Sequence, residues 1–219
     1  MSIIIENRRD FLKKAAIAVS TMPLLAGCSG DMLAQKSSDT ILDRIKRNAD
    51  PGRENWTGAK DVPDSVGPKV VLSAETDRGE PIKISGVVYQ ADGKTPAPET
   101  LIYLYHTDFE GYYGRRGDPH RHGRYRGWML TDKEGRYAFN TIKPAPYPEN
   151  RWAAHIHMTV TTANLHEDSI DSILFEGDRL INAAERSSAG RKGGFNPILS
   201  FVKGDGGLLY ATRNIQLPG

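Results

Sequence analysis

The chain has 219 residues, of which 38% are hydrophobic and 26% charged, enough for one globular domain with a sizeable core plus appendages. Its formal net charge is +2, with Lys and Arg scattered rather than massed, so the electrostatic footprint of a nucleic-acid partner is missing. The single cysteine excludes an intrachain disulfide, and stability must come from the core.

The N-terminal stretch NRRDFLKKAAIAVSTMPLLAGC has paired arginines, a short apolar run and small residues before Cys28. The run from Ala15 to Gly27 contains a proline and is short for a bilayer span, so an export signal is the better reading than a transmembrane anchor. Arg8 and Arg9, followed by Phe11, Leu12 and Lys13, resemble a twin-arginine signal. LAGC resembles a bacterial lipobox, with Cys28 the lipidated first residue of the mature chain; in the plainer alternative Cys28 is one more small residue of the signal. The expectation over 1–28 is a signal peptide and an exported, membrane-anchored lipoprotein, periplasmic or at the cell surface. Export in the folded state suits a cofactor loaded beforehand.

Residues 29–68 read as a linker or stalk. SDTILDRIKRNA forms one short capped helix with Ile41, Leu42 and Ile45 on one side, and DPGRENWTGAKDVPDSVGP is dense in turn formers, with Trp56 a candidate for docking on the domain. From residue 69 to 219 short apolar segments alternate with Gly, Pro, Asp and Asn. KVVLSA, IKISGVVYQ, LIYLYHTD, GWMLTD, RYAFNTI, HIHMTVTT, SILFEGD and LLYATRNIQL each read as a strand, which makes the domain an all-β sandwich or barrel. A helical turn is expected near Ala183.

In HIHMTV, His155 and His157 share one face of a strand while Ile156, Met158 and Val160 fill the other. Two imidazoles about 6.6 Å apart along the backbone can converge on one ion, although half-buried histidines bonding carbonyls are the plainer alternative. The pair does not name its metal. A three-histidine zinc site stays open with His106, His120, His122 and His166, although DPHRHGRYRG reads as a basic, solvated loop. Tyrosines in EGYYGRR and APYPE offer another donor. Most such residues only pack, but a trivalent ion holds a phenolate deprotonated at neutral pH, and two phenolates with two imidazoles suit Fe(III).

The blocks GEPIKISGVVYQADGKTPAPETLIYLYHTDFEGYYG, RGWMLTDKEGRYAFNTIKPAPYP, AAHIHMTV and ILFEGDRLI, in this order over about residues 79–181, resemble the intradiol ring-cleavage dioxygenases, the group of protocatechuate and catechol dioxygenases. The resemblance implies a β-sandwich with irregular loops, little helix and a non-haem Fe(III) held by Tyr113, Tyr147, His155 and His157. The Gly-x-Tyr block falls on Gly111 and Tyr113, with Tyr112 the competing choice, and the Pro-x-Tyr-Pro turn on Pro144, Pro146, Tyr147 and Pro148. It further implies that a catecholic substrate and O₂ meet at the iron, that Tyr147 leaves the metal and takes a proton, and that the ring opens between its hydroxyl-bearing carbons to a muconate-type diacid.

The departures lie near the substrate. Where the family has an arginine, three residues before His155, stands Trp152, a candidate substrate contact, with Arg151 one step earlier as the candidate catalytic cation. Ser172 occupies a position that is usually glutamine. A non-catalytic sandwich lipoprotein that keeps the metal site is the alternative these departures support. Family members often associate through sandwich faces, so a homo-oligomer belongs to the expectations, and no apolar stripe decides it.

Overall fold

A computed structural model describes residues 39–49, 55–113, 119–149 and 151–219, all within the unit Ser38–Gly219. The expected signal over 1–28, with Cys28, and residues 29–38 lie outside the described residues. Among the described residues no helix is long and apolar enough to cross a membrane.

Among the described residues eleven strands form two sheets. The first has the order β1 (Lys69–Val71), β5 (Arg136–Ile142), β2 (Pro81–Tyr89), β10 (Leu209–Thr212) and β9 (Val202–Lys203), with β11 (Ile215–Gln216) also on β2. The second has the order β4 (Arg126–Leu130), β3 (Leu101–Tyr105), β6 (His155–Thr161), β7 (Asp168–Phe175) and β8 (Ile198–Leu199). Alternation along each strand makes the core. Ile82, Ile84, Val88 and Phe139 of the first sheet meet Ile102, Leu104, Met129, Ile156, Met158 and Val160 of the second. The segment pattern allowed a sandwich or a barrel, and the fold found is the β-sandwich that the family resemblance implied.

Even-numbered residues of β3 and β6 therefore point inward, and Tyr103, Tyr105, His155 and His157 stand on the opposite face of the second sheet. That face is covered as well, because β3 is buried along its whole length. Helix α1 (Ile41–Asn48) packs Leu42 and Ile45 with Ala59, Val62 and Leu101. Its N-terminus is closed by a capping box, in which Thr40 Oγ1 accepts from Asp43 N (3.1 Å) and Asp43 Oδ2 accepts from Thr40 N (2.9 Å). The expected stalk over 29–68 thus needs correction: residues 39–49 and 55–68 belong with the sandwich. Leu42 and Ile45 recur at helical spacing and give α1 an apolar stripe that is buried only by docking.

Glu167 ties this covering segment to the sheet. Its buried carboxylate accepts from Gly58 N (2.8 Å), Ala59 N (3.1 Å) and Thr159 Oγ1 (2.8 Å). A Glu167→Ala variant leaves these donors unsatisfied in the interior and should lose about 2–4 kcal/mol of unfolding free energy. Urea denaturation measures this, and a midpoint equal to wild type would show that the clasp carries no load.

Candidate metal centre

Two turns and one strand deliver four donor side chains. The first turn follows β3. Asp108 Oδ1 accepts from Glu110 N (2.9 Å) and Tyr112 N (3.0 Å), which curls the chain so that Tyr113 points inward while Tyr112 is exposed. The second turn, 144–148, lies outside any strand or helix and is stitched to the first by Ala145 N to Asp108 O (3.0 Å) and Thr107 Oγ1 to Ala145 O (2.8 Å). Gly111 lies at the seam with φ +88°, and a Cβ there would come within 2.2 Å of Pro146 O. Only glycine combines that backbone with so close an approach. The Gly-x-Tyr spacing therefore packs one tyrosine turn against the other, and the Tyr113 and Tyr147 hydroxyls meet at 2.7 Å.

The strand supplies the imidazoles. His155 Nε2 is 3.0 Å from His157 Nε2, and each lies 3.3 Å from the Tyr147 hydroxyl. His155 Nδ1 donates to Ala153 O (2.7 Å), so its Nε2 presents a lone pair. Asp178 prepares this entry into β6, because its Oδ2 accepts from Ala154 N (2.9 Å). The His157 ring stacks on Tyr105 at 4.6 Å, and Tyr105 stacks in turn on His122 at 3.7 Å.

Burial decides the charge state. It lowers the pKa of His155, against the opposing effects of the Ala153 carbonyl and Glu185, and brings His157 down to about 3, with His155, His122 and His106 adding to the effect. The Tyr113 phenol is raised first by burial and then by Tyr147; Tyr147 is raised by burial. Four polar atoms thus converge with neutral imidazoles, and Tyr147 has one hydrogen for three neighbours. A cation relieves this crowd of lone pairs, whereas a packing contact does not. The donor set of two phenols and two imidazoles therefore fits a hard metal ion. Among the described residues no group of three or more His, Cys, Asp or Glu forms a metal site, which leaves the zinc alternative without support.

The other histidines have different work. His106 is buried between Thr107 O (2.7 Å) and Thr141 Oγ1 (2.7 Å), and burial lowers its pKa to about 4. His122 was expected on a solvated loop and is instead buried, bonded to Tyr103 Oη (2.6 Å) and to the Asn55 carbonyl oxygen. The stack with Tyr105 draws that loop inward. His166 is exposed and donates to Asn48 O (2.9 Å).

A family model described as Dioxygenase matches residues 64–194. The chain belongs to the intradiol ring-cleavage dioxygenases. It is 30% identical over 120 residues to the hydroxyquinol 1,2-dioxygenase of Nocardioides simplex, an alignment covering 48% of this chain and 40% of that protein. It is 33% identical over 113 residues to the protocatechuate 3,4-dioxygenase beta chain of Burkholderia cepacia, covering 47% of this chain and 48% of that one. The chain thus spans less than half the length of either relative. In fold it is similar to the dioxygenase domain of a dioxygenase carbohydrate-binding protein fusion from Streptomyces sp. SirexAA-E, with 20% identity, TM-score 0.53, and coverage of 71% of this chain and 91% of that chain.

Around the intradiol dioxygenase donors the chain forms a cavity of about 400 Å³ on one side, lined by Tyr147, Trp152, His155, His157 and Ser172 among others. Trp152 is 58% exposed and stands in the wall, whereas Arg151 is exposed and is not among the lining residues. The expectation that Arg151 reaches the site gains no support from its position. Ser172 Oγ lies 3.4 Å from His157 Nδ1, so it touches this candidate donor imidazole as well as the cavity. A second cavity of about 420 Å³ opens on the other side, where Trp56 and Arg121 join Tyr105, Tyr113, Tyr147 and His157. Arg121 Nη2 donates to Thr57 O (2.5 Å), fastening the segment that closes this side.

Asp171, in the wall of the first cavity, gave no signal in the sequence. Ile156 pairs with Ile173 but Met158 pairs with Ile170, so Asp171 and Ser172 together oppose His157 in a β-bulge. Neighbouring strand residues ordinarily face opposite ways, and the bulge turns both toward the cavity.

Proposed function

We propose that the chain is a non-haem Fe(III) dioxygenase that opens a catecholic ring between its two hydroxyl-bearing carbons and incorporates O₂ into a muconate-type diacid. The observation that carries this reading is the convergence of Tyr113, Tyr147, His155 and His157 within 2.7–3.3 Å contacts at the mouth of a cavity of ring size. These four residues would hold the iron. When bound, Fe(III) would draw electron density from a chelated diol and make the ring open to attack by dioxygen.

The residues divide the remaining tasks. Tyr147 lines the substrate cavity and Tyr113 does not, so Tyr147 is the donor a diol can displace, and its phenolate oxygen takes a hydroxyl proton from the incoming diol. Tyr113 stays in place, inside its turn. His155 and His157 are oriented by Ala153 O and by Ser172 with Tyr105, which keeps both Nε2 atoms aimed at one point. Trp152 stands in the cavity wall, where its indole would face a substituent on the bound ring.

Metal analysis, a visible spectrum and oxygen uptake test the reading together. Ferric tyrosinate colours the protein, the band shifts on adding a catechol, and each O₂ consumed yields one diacid. A colourless, iron-replete protein would refute the donor set. Iron and colour without oxygen uptake on any catechol would favour a non-catalytic sandwich that retains the metal, the reading to which the exposed Arg151 lends weight.

The N-terminal residues support an exported lipoprotein anchored through Cys28. The mass of the mature N-terminus tests this; a chain starting at Met1 without lipid would refute it.

A further inference from the structure

The cavity beside His155 and His157 has a charge pattern that ring cleavage alone does not use. Asp171 and Glu185 stand in its wall, and none of the described residues lining it is Lys or Arg. The two carboxylates arrive by separate routes. Asp171 is turned inward by the bulge opposite His157, and its Oδ2 is held by Gly190 N (2.8 Å) and Lys192 N (3.2 Å). Glu185 belongs to helix α2 (Ala183–Ser188), where its Oε2 accepts from Asn182 N (2.8 Å) in a capping box. Two cations of the surrounding segments are committed elsewhere: Lys192 Nζ to Asp168 (3.1 Å) and Arg186 to Glu176 (2.8 Å).

The two carboxylates are not equal. The buried Arg213 guanidinium feels the charge of Asp171 and offsets part of it. Asp171 Oδ2 is shared between two backbone N–H groups, whereas Glu185 Oε2 accepts a single one in its capping box, and Glu185 lines the same wall as His155. Trp152 adds an exposed indole face to the same wall, and such faces attract cations. A carboxylate on the ring of an incoming diol would meet like charge here, whereas an ammonium group would meet two carboxylates and an indole.

We propose that this cavity selects catechols whose ring substituent is a cationic amine and rejects those bearing a carboxylate, with Glu185 the principal determinant. The inference rests on the ring-cleavage reading and names its substrate class.

A matched pair of probes tests it: dopamine, with an aminoethyl substituent, and dihydroxyphenylacetate, with a carboxymethyl one, beside unsubstituted catechol, all on the full-length, iron-loaded chain. At low ionic strength kcat/KM for the amine should exceed that for the acid by about tenfold, and the ratio should shrink as salt is added. Glu185→Gln keeps a partner for Asn182 N and should narrow the ratio about threefold, while Glu185→Lys should invert it. Calorimetric binding of the same pair to the metal-free chain gives a readout independent of turnover and should show the same order. Equal rates and affinities for the pair, a preference for the acid, or a ratio unmoved by both Glu185 variants would overturn the proposal. Turnover of catechol without an amine preference would sink this inference and leave ring cleavage standing. Selective amine binding by a chain that consumes no diol would do the reverse.

Discussion

Replacing His157 by alanine should release the iron. The imidazole Nε2 is within 3.0 Å of His155 Nε2 and 3.3 Å of the Tyr147 hydroxyl, at the centre of the donor cluster. Burial holds the ring neutral far below physiological pH, so it offers a lone pair to a metal with no proton to displace. Loss of a group that merely orients a ligand costs about 10- to 100-fold in metal affinity, and loss of the ligand itself should cost at least the upper end of that range. His166→Ala is the control, because that ring is exposed, bonded to Asn48 O and outside the donor cluster. Iron per chain after purification, with circular dichroism to show that the sandwich persists, gives the result. A folded His157→Ala protein with full iron would remove this residue from the ligand set.

The strands were readable where apolar residues recur at every second position. RYAFNTI, residues 136–142, is β5, with Tyr137 and Phe139 inward, and HIHMTVTT contains β6 and overruns it by one residue, with Ile156, Met158 and Val160 inward. The pattern fails at β7. SILFEGD places its start at Ser172, whereas the strand begins at Asp168, since the polar run Asp168 to Asp171 hides the one inward residue, Ile170, and a bulge breaks the period. The two-residue strands β8 and β9 are too short to carry any period, and LLYATRNIQL divides into β10 and β11 around Arg213, whose side chain is fully buried. Helix α1 was legible as a helix but not as part of the domain. Whether an amphipathic helix docks depends on an apolar patch elsewhere, here around Leu101, and local sequence does not announce that partner.

The donor set was implied by the family resemblance, not by local pattern. What the sequence itself displays is the punctuation of the two turns that carry Tyr113 and Tyr147: Gly111 and the prolines around Tyr147. The cavity wall was not legible. Asp171 and Glu185 come from two elements distant in sequence from the His pair, and only the bulge and the position of α2 bring them there. His122 was misread because DPHRHGRYRG is polar in composition; one stacking contact with Tyr105 and a bond to Tyr103 outweigh that average.

Tyr147→Phe should separate catalysis from metal binding. Of the two tyrosine donors it is the one that lines the first cavity, so it is the tyrosine an entering diol meets there. Its backbone is held: Pro148 confines Tyr147 to an extended conformation, and Ala145 is bonded in both directions to the 107–108 turn. With the backbone fixed, movement of the Tyr147 hydroxyl away from the other donors would come from side-chain rotation, which would leave the neighbouring Tyr113 turn undisturbed. Phenylalanine keeps the ring and its packing but removes the oxygen that accepts the diol proton. Both buried imidazoles and Tyr113 remain to hold the ion, and the oxygen removed is the one a diol would displace in any case, so most of the iron should stay, while kcat falls by about 10²- to 10⁴-fold, the usual span for losing a positioned acid or base. Iron content and single-turnover rate measured on the same preparation decide the matter. Loss of both in equal proportion would make Tyr147 an ordinary ligand and place the proton acceptor elsewhere in the cavity.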